Sequence, residues 1–194
     1  RSRSAVATGD RAATATERLL WSRVRDVPDW PEPGVLFRDL TPLMADPSAF
    51  GAAVDLMAVR LGRGAVDLVV GVEARGFPYA AALAYHLGAG FVTLRKPGKL
   101  PGPVHSQSYD LEYGSTSLEL HQDAAGPGTR VVIVDDVLAT GGTAVAAVDL
   151  VRRTGAHIVA VAVILDLPHL GGRDRVHETG VDLVALMDAS APVD

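Results

Sequence analysis

The most constraining feature of this chain is residues 131–143, VVIVDDVLATGGT, where a run of β-branched apolar residues leads into two adjacent aspartates and two adjacent glycines. The apolar run predicts a buried strand over 131–134, and the residues after the glycines predict a helix over 143–154. Ligands of α/β proteins bind at the carboxyl ends of strands, where such turns lie. The segment therefore predicts a local fold and a binding loop together.

The glycines and hydroxyls of this turn favour a phosphate. Gly141 and Gly142 allow backbone dihedrals that direct successive N–H groups inward, and the first helical turn adds unpaired donors at the positive end of the helix dipole. Thr140 and Thr143 add hydroxyl donors. The turn is therefore suited to a phosphate monoester.

The two carboxylates before the turn extend this prediction to a sugar phosphate. Asp135 and Asp136 could hold a vicinal diol or help to position a magnesium-bound sugar. A ribose 5-phosphate fits these groups better than a bare phosphate. Each dipeptide alone is common at a strand end or a turn, but their combination in one strand-to-helix transition favours a binding site.

Apolar strands that alternate with helices predict an α/β domain with a mostly parallel sheet flanked by helices. The other strands are expected at 67–72, 91–94, 116–120, 158–165 and 181–186, and the longer helices at 47–61 and 77–87. Leu20, Val24 and Val27 predict a short helix before them. Residues 95–110, with three prolines and two glycines, predict a long loop without regular structure.

Composition excludes several classes of function. Without cysteine the chain has no disulfide, thiolate nucleophile or cysteine-ligated metal, and its histidines lack the spacing of a zinc site. No run approaches the roughly 18 apolar residues of a membrane span. The net charge is −5, and six arginines lie in the first 25 residues, so the remainder is strongly acidic and nucleic acid is not expected as a partner. We expect a cytoplasmic protein.

A second turn, Gly71–Gly76, has the spacing of a P-loop, but Phe77 and Pro78 stand where lysine and serine or threonine belong, so we reject a nucleoside triphosphatase. Arg75 in this turn can meet an anion. The segment 95–99, RKPGK, supplies three more cations without an acidic residue. Pyrophosphate is the ligand we favour, although a solvated basic loop remains open on these residues alone.

The motif at 131–143 resembles the PRPP motif (5-phosphoribosyl-1-pyrophosphate) of the type I phosphoribosyltransferases. The segments PGVLFRD at 33–39, EARGF at 73–77, RKPGKLP at 95–101 and YDLEYG at 109–114 resemble the adenine-specific members of that family. The similarity runs from about Val24 to Leu186. It implies conversion of adenine and PRPP to AMP and pyrophosphate in purine salvage, with Mg²⁺ carried on PRPP rather than on an assigned protein site, and it implies a homodimer.

The resemblance also implies roles for individual residues. The 5′-phosphate would lie in the loop formed by Ala139, Thr140, Gly141, Gly142 and Thr143. Asp135 and Asp136 would lie at the ribose hydroxyls, and Arg75, Arg95 and Lys99 would bind pyrophosphate as it leaves. Phe37 would stack on adenine opposite Leu167, while the backbone at Leu36 and Arg38 reads the edge of the base. Glu112 would be the acid/base group near purine N7, and Tyr113 would help to hold a closed loop that excludes water.

The expected organisation is a flexible extension over 1–16, with a transit peptide as the alternative, and a single phosphoribosyltransferase domain over 17–194. The resemblance places a small hood for the base pocket at about 24–45. Three other functions remain: a PRPP-sensing regulator, a transferase for another purine, and an inactive paralogue. A regulator would carry a DNA-binding domain ahead of this fold, yet only about 30 residues of the sequence precede Pro33.

Overall fold

A computed structural model of the chain describes residues 14–62, 64–110 and 115–190. The helices are α1 (Ala15–Trp21), α2 (Thr41–Ala45), α3 (Pro47–Leu61), α4 (Gly76–Leu87), α5 (Gly142–Arg153) and α6 (Gly172–Glu178). The strands are β1 (Arg25–Pro28), β2 (Leu36–Asp39), β3 (Leu68–Val72), β4 (Gly90–Leu94), β5 (Val104–Asp110), β6 (Ser115–His121), β7 (Arg130–Leu138), β8 (His157–Asp166) and β9 (Leu183–Asp188). None of the described helices has the length and apolar character needed to cross a bilayer.

Five parallel strands form the central sheet, in the order β4-β3-β7-β8-β9. Alternate residues of β7 point to opposite faces, as the period of two requires. Val132 and Val134 join an apolar cluster with α1 to α4, whereas Val131 and Ile133 join a second cluster with α5 and α6. The prediction of a parallel sheet covered by helices is therefore confirmed.

Strand order reverses between β3 and β7. From β3 the chain passes outward through α4 to β4, and β7 then lies on the other side of β3. In parallel α/β sheets, a crevice for ligands opens at the carboxyl ends of the strands at such a reversal. Arg75 lies in the turn that follows β3, and the Asp135–Asp136 pair lies near the carboxyl end of β7.

Helix ends follow the local chemistry of the sequence. Asp46 accepts hydrogen bonds from the N–H groups of Ser48 and Ala49 and so caps α3, with Pro47 in the first helical position. Gly62, with φ of 84°, ends the same helix. These boundaries agree with the predicted helix at 47–61.

The helix predicted from Leu20, Val24 and Val27 is wrong in its extent. Helix α1 begins at Ala15 under a capping box formed by Thr14 and Glu17, and it ends at Trp21. Val27 lies instead in β1, which pairs antiparallel with β2. An apolar stripe of three residues cannot distinguish one continuous helix from a helix followed by a strand.

The long unstructured loop predicted at 95–110 is also wrong, because its second half is strand β5. This strand pairs antiparallel with β6 along its whole length, from Val104 opposite His121 to Asp110 opposite Ser115. The resulting ribbon lies against α5, where Arg153 donates to the carbonyl oxygen of Ser106 at 2.8 Å. Its sequence, VHSQSYD, has no apolar alternation, so the strand depends on pairing that a local pattern does not reveal.

Candidate active site

The loop after β7 encloses a cavity of about 180 Å³ at the carboxyl edge of the sheet. Polar groups and backbone of the loop line one side of it, and valine and isoleucine side chains of the sheet line the other. The loop and the start of α5 contribute Ala139, Thr140, Gly141, Gly142 and Thr143, and β7 contributes Asp135. Because α5 begins at Gly142, the first N–H groups of that helix face this region without partners inside the helix.

Gly141 is required by both conformation and space. Its φ of 83° lies in the left-handed region, and a Cβ there would come within 2.9 Å of the Cα of Gly172. The loop therefore packs directly on the first turn of α6. Arg175 on α6 also donates to the carbonyl oxygen of Thr140 at 3.0 Å.

The two aspartates at the end of β7 occupy different environments. Asp136 is buried, and its Oδ2 accepts from Arg75 Nε at 2.5 Å. The Oδ1 of Asp135 accepts from the backbone N–H of Asp136 at 2.8 Å. Burial, followed by the neighbouring Asp136 charge, raises the pKa of Asp135 well above its usual range. The site therefore holds one paired carboxylate and one that resists ionisation.

Arg75 reaches Asp136 because the two strand ends approach closely. A Cβ on Gly76 would lie 2.7 Å from the carbonyl oxygen of Val134, so only glycine fits at this crossing. The Arg75 guanidinium also lies over the ring of Phe37, with Cζ 5.2 Å from its centroid. Arg75 thus contacts both β7, through Asp136, and the β1–β2 hairpin, through Phe37.

Glu73 is a site residue that the sequence reasoning missed. Its Oε2 accepts from the backbone N–H of Lys96 at 2.7 Å and from Arg95 Nε at 3.0 Å. The Lys96 hydrogen bond is the largest cause that lowers the pKa of Glu73. Arg95 therefore lies close to the turn that contains Arg75, and Glu73 partly neutralises its charge. Lys99, four residues further along the chain, is exposed. The sequence feature that could have identified Glu73 is its position two residues before Arg75, which was predicted to bind an anion.

The β1–β2 hairpin presents Phe37 toward the carboxyl edge. Its ring meets the Trp30 ring edge-on at 4.3 Å between centroids, a contact that the sequence did not predict. Phe37 belongs to neither apolar cluster of the described residues. Leu36 is half exposed, and Arg38 pairs with Asp26 across the hairpin.

Leu167 follows β8 directly, and its backbone N–H donates to the carbonyl oxygen of Leu138 at 2.9 Å. This bond holds Leu167 beside the end of β7 and hence beside the loop 139–143. The side chain is half buried against the first apolar cluster. Stacking of a base between Leu167 and Phe37 stays a prediction.

Glu112 and Tyr113 lie outside the described residues. The strands on either side of them are positioned, because Asp110 pairs with Ser115. Near that end of the ribbon, Thr143 Oγ1 donates to the hydroxyl oxygen of Tyr109 at 3.2 Å. The ribbon that carries segment 111–114 is therefore attached to the loop at the end of β7.

Within the described parts of the chain, no group of three or more histidine, aspartate or glutamate side chains is arranged to hold a metal ion. Asp135 lines the cavity, and Asp136 is its neighbour in β7. Adjacent carboxylates suit Mg²⁺, which usually retains several other ligands of its own. The pair therefore fits a magnesium ion that arrives on a phosphorylated substrate.

Known proteins match this chain over most of its length. The phosphoribosyl transferase domain family matches residues 48–192. An adenine phosphoribosyltransferase of Cutibacterium acnes is 53% identical over 168 residues, which cover 87% of this chain and 94% of that protein.

Solved structures agree with this match. The adenine phosphoribosyltransferase of Thermoanaerobacter pseudethanolicus superposes with a TM-score of 0.82 at 44% identity, covering 88% of this chain and 98% of that one. The enzyme of Saccharomyces cerevisiae, solved with an imino-altritol bisphosphate and adenine, gives 0.84 at 35% identity and covers 89% and 98%. The chain therefore belongs to the phosphoribosyl transferase family, among the adenine phosphoribosyltransferases.

Proposed function

We propose that this protein transfers the 5-phosphoribosyl group of PRPP to adenine, forming AMP and pyrophosphate. The observation that carries the proposal is the meeting of three groups at one sheet edge: the Gly-rich loop after β7, the Asp135–Asp136 pair, and Arg75 in contact with both Asp136 and Phe37. A phosphate, a sugar diol, an anionic leaving group and an aromatic base each find a suitable partner there.

The loop 139–143 holds the 5′-phosphate. Its inward N–H groups, the Thr140 hydroxyl and the first N–H groups of α5, including that of Thr143, supply donors without a full positive charge, while the Thr143 hydroxyl donates to Tyr109. Asp135 and Asp136 accept from the ribose hydroxyls and face the Mg²⁺ that accompanies PRPP. Binding of this ion and of the ribose favours the ionised form of Asp135, which burial disfavours in the free protein.

Pyrophosphate leaves toward the basic residues. The bond from ribose C1 to the pyrophosphate oxygen breaks, positive charge develops at C1, and N9 of adenine forms the new bond as the proton on N7 of the base passes to Glu112. Arg75, Arg95 and Lys99 stabilise the negative charge that accumulates on pyrophosphate. Arg75 then leaves Asp136 and pairs with pyrophosphate, because the ribose of PRPP now binds the carboxylates of Asp135 and Asp136.

The base lies against Phe37, with Leu167 on its other face and the backbone at Leu36 and Arg38 along its edge. Glu112 is the acid/base group near N7, and Tyr113 holds the segment 111–114 closed during turnover. The Thr143–Tyr109 hydrogen bond supports this assignment, because it attaches the ribbon bearing Glu112 to the phosphate loop. Closure would exclude water and so suppress hydrolysis of PRPP.

The family resemblance also supports a homodimer that acts in the cytoplasm, with residues 17–194 forming the catalytic domain and about 24–45 its hood. Residues 14–16 form the cap and start of α1, so the flexible extension expected over 1–16 is proposed only for residues 1–13, which lie outside the described residues. Sedimentation velocity of the full chain tests the dimer, which should appear as a species near twice the 20.3 kDa of one chain.

A product assay tests the activity. The purified protein is incubated with MgCl₂ and PRPP and, in separate reactions, adenine, hypoxanthine, guanine or xanthine, and nucleotide and pyrophosphate are followed by chromatography. AMP from adenine alone supports the proposal. Product from an oxopurine would overturn the base assignment, and PRPP binding without product would favour a sensor.

A further inference from the structure

A cluster of three charged residues lies behind the phosphate loop and has no role in the reaction described above. Asp166 ends β8, Asp188 ends β9, and the two are paired in the register of the sheet. Arg173, the second residue of α6, donates to both: its Nε lies 2.7 Å from Asp166 Oδ2 and its Nη2 lies 3.0 Å from Asp188 Oδ2. We call Asp166, Arg173 and Asp188 the Arg173 cluster.

The burial of Asp166 argues that this cluster serves more than general stability. The residue is fully buried, and its Oδ1 has no hydrogen-bond partner. A buried carboxylate loses its hydration, and an apolar residue of similar volume is often at least as stable in such a position. We therefore expect that Asp166 is needed for the position of its partner Arg173.

What Arg173 holds in place is the first turn of α6. Asp188 is itself fixed, because its Oδ1 accepts from the Ser190 backbone N–H at 2.9 Å. The two strand ends thus give the guanidinium two anchored partners. A lysine ammonium in the same position could not reproduce the planar geometry that spans both carboxylates.

That turn presses directly on the phosphate loop. A Cβ on Gly172, the residue before Arg173, would lie 2.2 Å from the carbonyl oxygen of Ala139 and 2.9 Å from the N of Gly141. No side chain separates α6 from the loop, so a shift of the turn is transmitted to the loop backbone. Arg175, the fourth residue of α6, adds its hydrogen bond to the carbonyl oxygen of Thr140.

We propose that Arg173, held by Asp166 and Asp188, is a positioning residue that keeps loop 139–143 in the geometry that binds the 5′-phosphate. It touches no reacting atom and acts through Gly172. The proposal rests on the proposed function, because it takes that loop to be the phosphate site. Loss of Arg173 should therefore weaken the binding of ligands that carry the 5′-phosphate and leave the binding of ligands without it unchanged.

AMP and adenosine separate this role from general stability, since they differ only in the phosphate. Calorimetry gives the ratio of the adenosine Kd to the AMP Kd for the full chain and its variants. Arg173→Gln should weaken AMP binding by about tenfold while adenosine binding is unchanged, because small displacements of positioning groups have effects of at least this size. Arg173→Lys, which keeps the charge, should recover part of the ratio.

The matched control is Arg130→Gln. Arg130 forms a similar two-point ion pair with Asp67, at the opposite end of β7 and with comparable exposure. This variant should lose stability without a change in the ratio. An equal fall in the ratio for Arg130→Gln, or a wild-type ratio in folded Arg173→Gln, would overturn the positioning role.

Two further variants secure the test. Asp188→Asn removes one partly exposed partner of Arg173, and Gly172→Ala leaves every charge in place while crowding Ala139; both should lower the ratio even if Arg173→Gln does not fold. An unchanged ratio in both would refute the proposal. If the unmodified protein binds AMP no better than adenosine, the phosphate-site assignment itself fails, which is a different result.

Discussion

Arg75 and Asp136 join the ends of two neighbouring strands, with Nε of the arginine 2.5 Å from Oδ2 of the aspartate. Asp136 is buried, whereas about half of the Arg75 side chain is exposed. The cation is therefore the mobile partner, able to leave the carboxylate when a stronger anion arrives. This pair connects the sugar-binding and leaving-group parts of the proposed site.

Asp136→Asn should raise the KM for PRPP by about 10- to 100-fold, the range expected when one charged hydrogen-bonding group is lost from a sugar contact. Steady-state kinetics with saturating adenine measure the effect. Asp67→Asn, which breaks the ion pair with Arg130 at the far end of the sheet, is the control and should leave KM unchanged. Normal kinetics in Asp136→Asn would remove this residue from the site.

Asp135→Asn should stabilise the fold and weaken PRPP binding. The folded protein raises the pKa of Asp135, so it holds the proton more tightly than the unfolded chain does. Above the usual pKa range of aspartate, the unfolded chain releases this proton more readily than the folded protein does, so Asp135 destabilises the fold there, and a neutral amide removes this effect. Thermal unfolding should shift upward, by about 2–4 °C for each kcal/mol gained in a domain of this size. A lower midpoint would contradict the environment assigned to Asp135.

Phe37→Ala should weaken AMP binding by about tenfold through loss of aromatic stacking while the domain stays folded. Phe50→Ala is the matched comparison, because the Phe50 ring packs 5.5 Å from that of buried Tyr79. We expect that variant to lose about 3 kcal/mol of stability instead. Unfolding caused by Phe37→Ala would identify Phe37 as a core residue.

Glu112→Gln should lower kcat by about 100-fold or more, since its proposed task is proton transfer, and should change PRPP affinity little. Presteady-state turnover together with PRPP binding separates the two quantities. A kcat equal to that of the unmodified protein would exclude Glu112 as the acid/base group.

Asp39 should make the fold sensitive to acid. A hydrogen bond from Thr41, with smaller contributions from Arg25, lowers the pKa of Asp39 from 3.8 to about 2. Its stabilising effect is present above pH 3.8 and is lost as the pH falls toward 2. Denaturant unfolding at a series of pH values should therefore show a shallower acid decline in Asp39→Asn. Identical pH profiles would show that Asp39 is not perturbed.

Local chemistry made much of this fold predictable. Asp46 and Gly62 mark the ends of α3, and the apolar run before Asp135 marks β7, because caps and buried strands depend on nearby residues. Strand β5 was not predictable in this way, because its residues lack apolar alternation and its pairing with β6 and contact with Arg153 are seen only in the folded chain.

The candidate site shows the same division. The loop at 139–143 and Arg75 were evident from their place after strands, but nothing local indicated that Arg75 would pair with Asp136 or lie over Phe37. Trp30 was missed for the same reason, whereas Glu73 had a local signal in its position two residues before Arg75. Their roles arise from close approaches, such as that of Gly76 to Val134, which only the folded chain creates.

A crystal structure of the protein with bound AMP would show the whole proposed site at once. We expect the 5′-phosphate in the loop 139–143, the ribose hydroxyls at Asp135 and Asp136, the purine against Phe37, and Arg75 turned toward the pyrophosphate position. A phosphate bound outside that loop, or a purine remote from Phe37, would contradict the proposed arrangement of the active site.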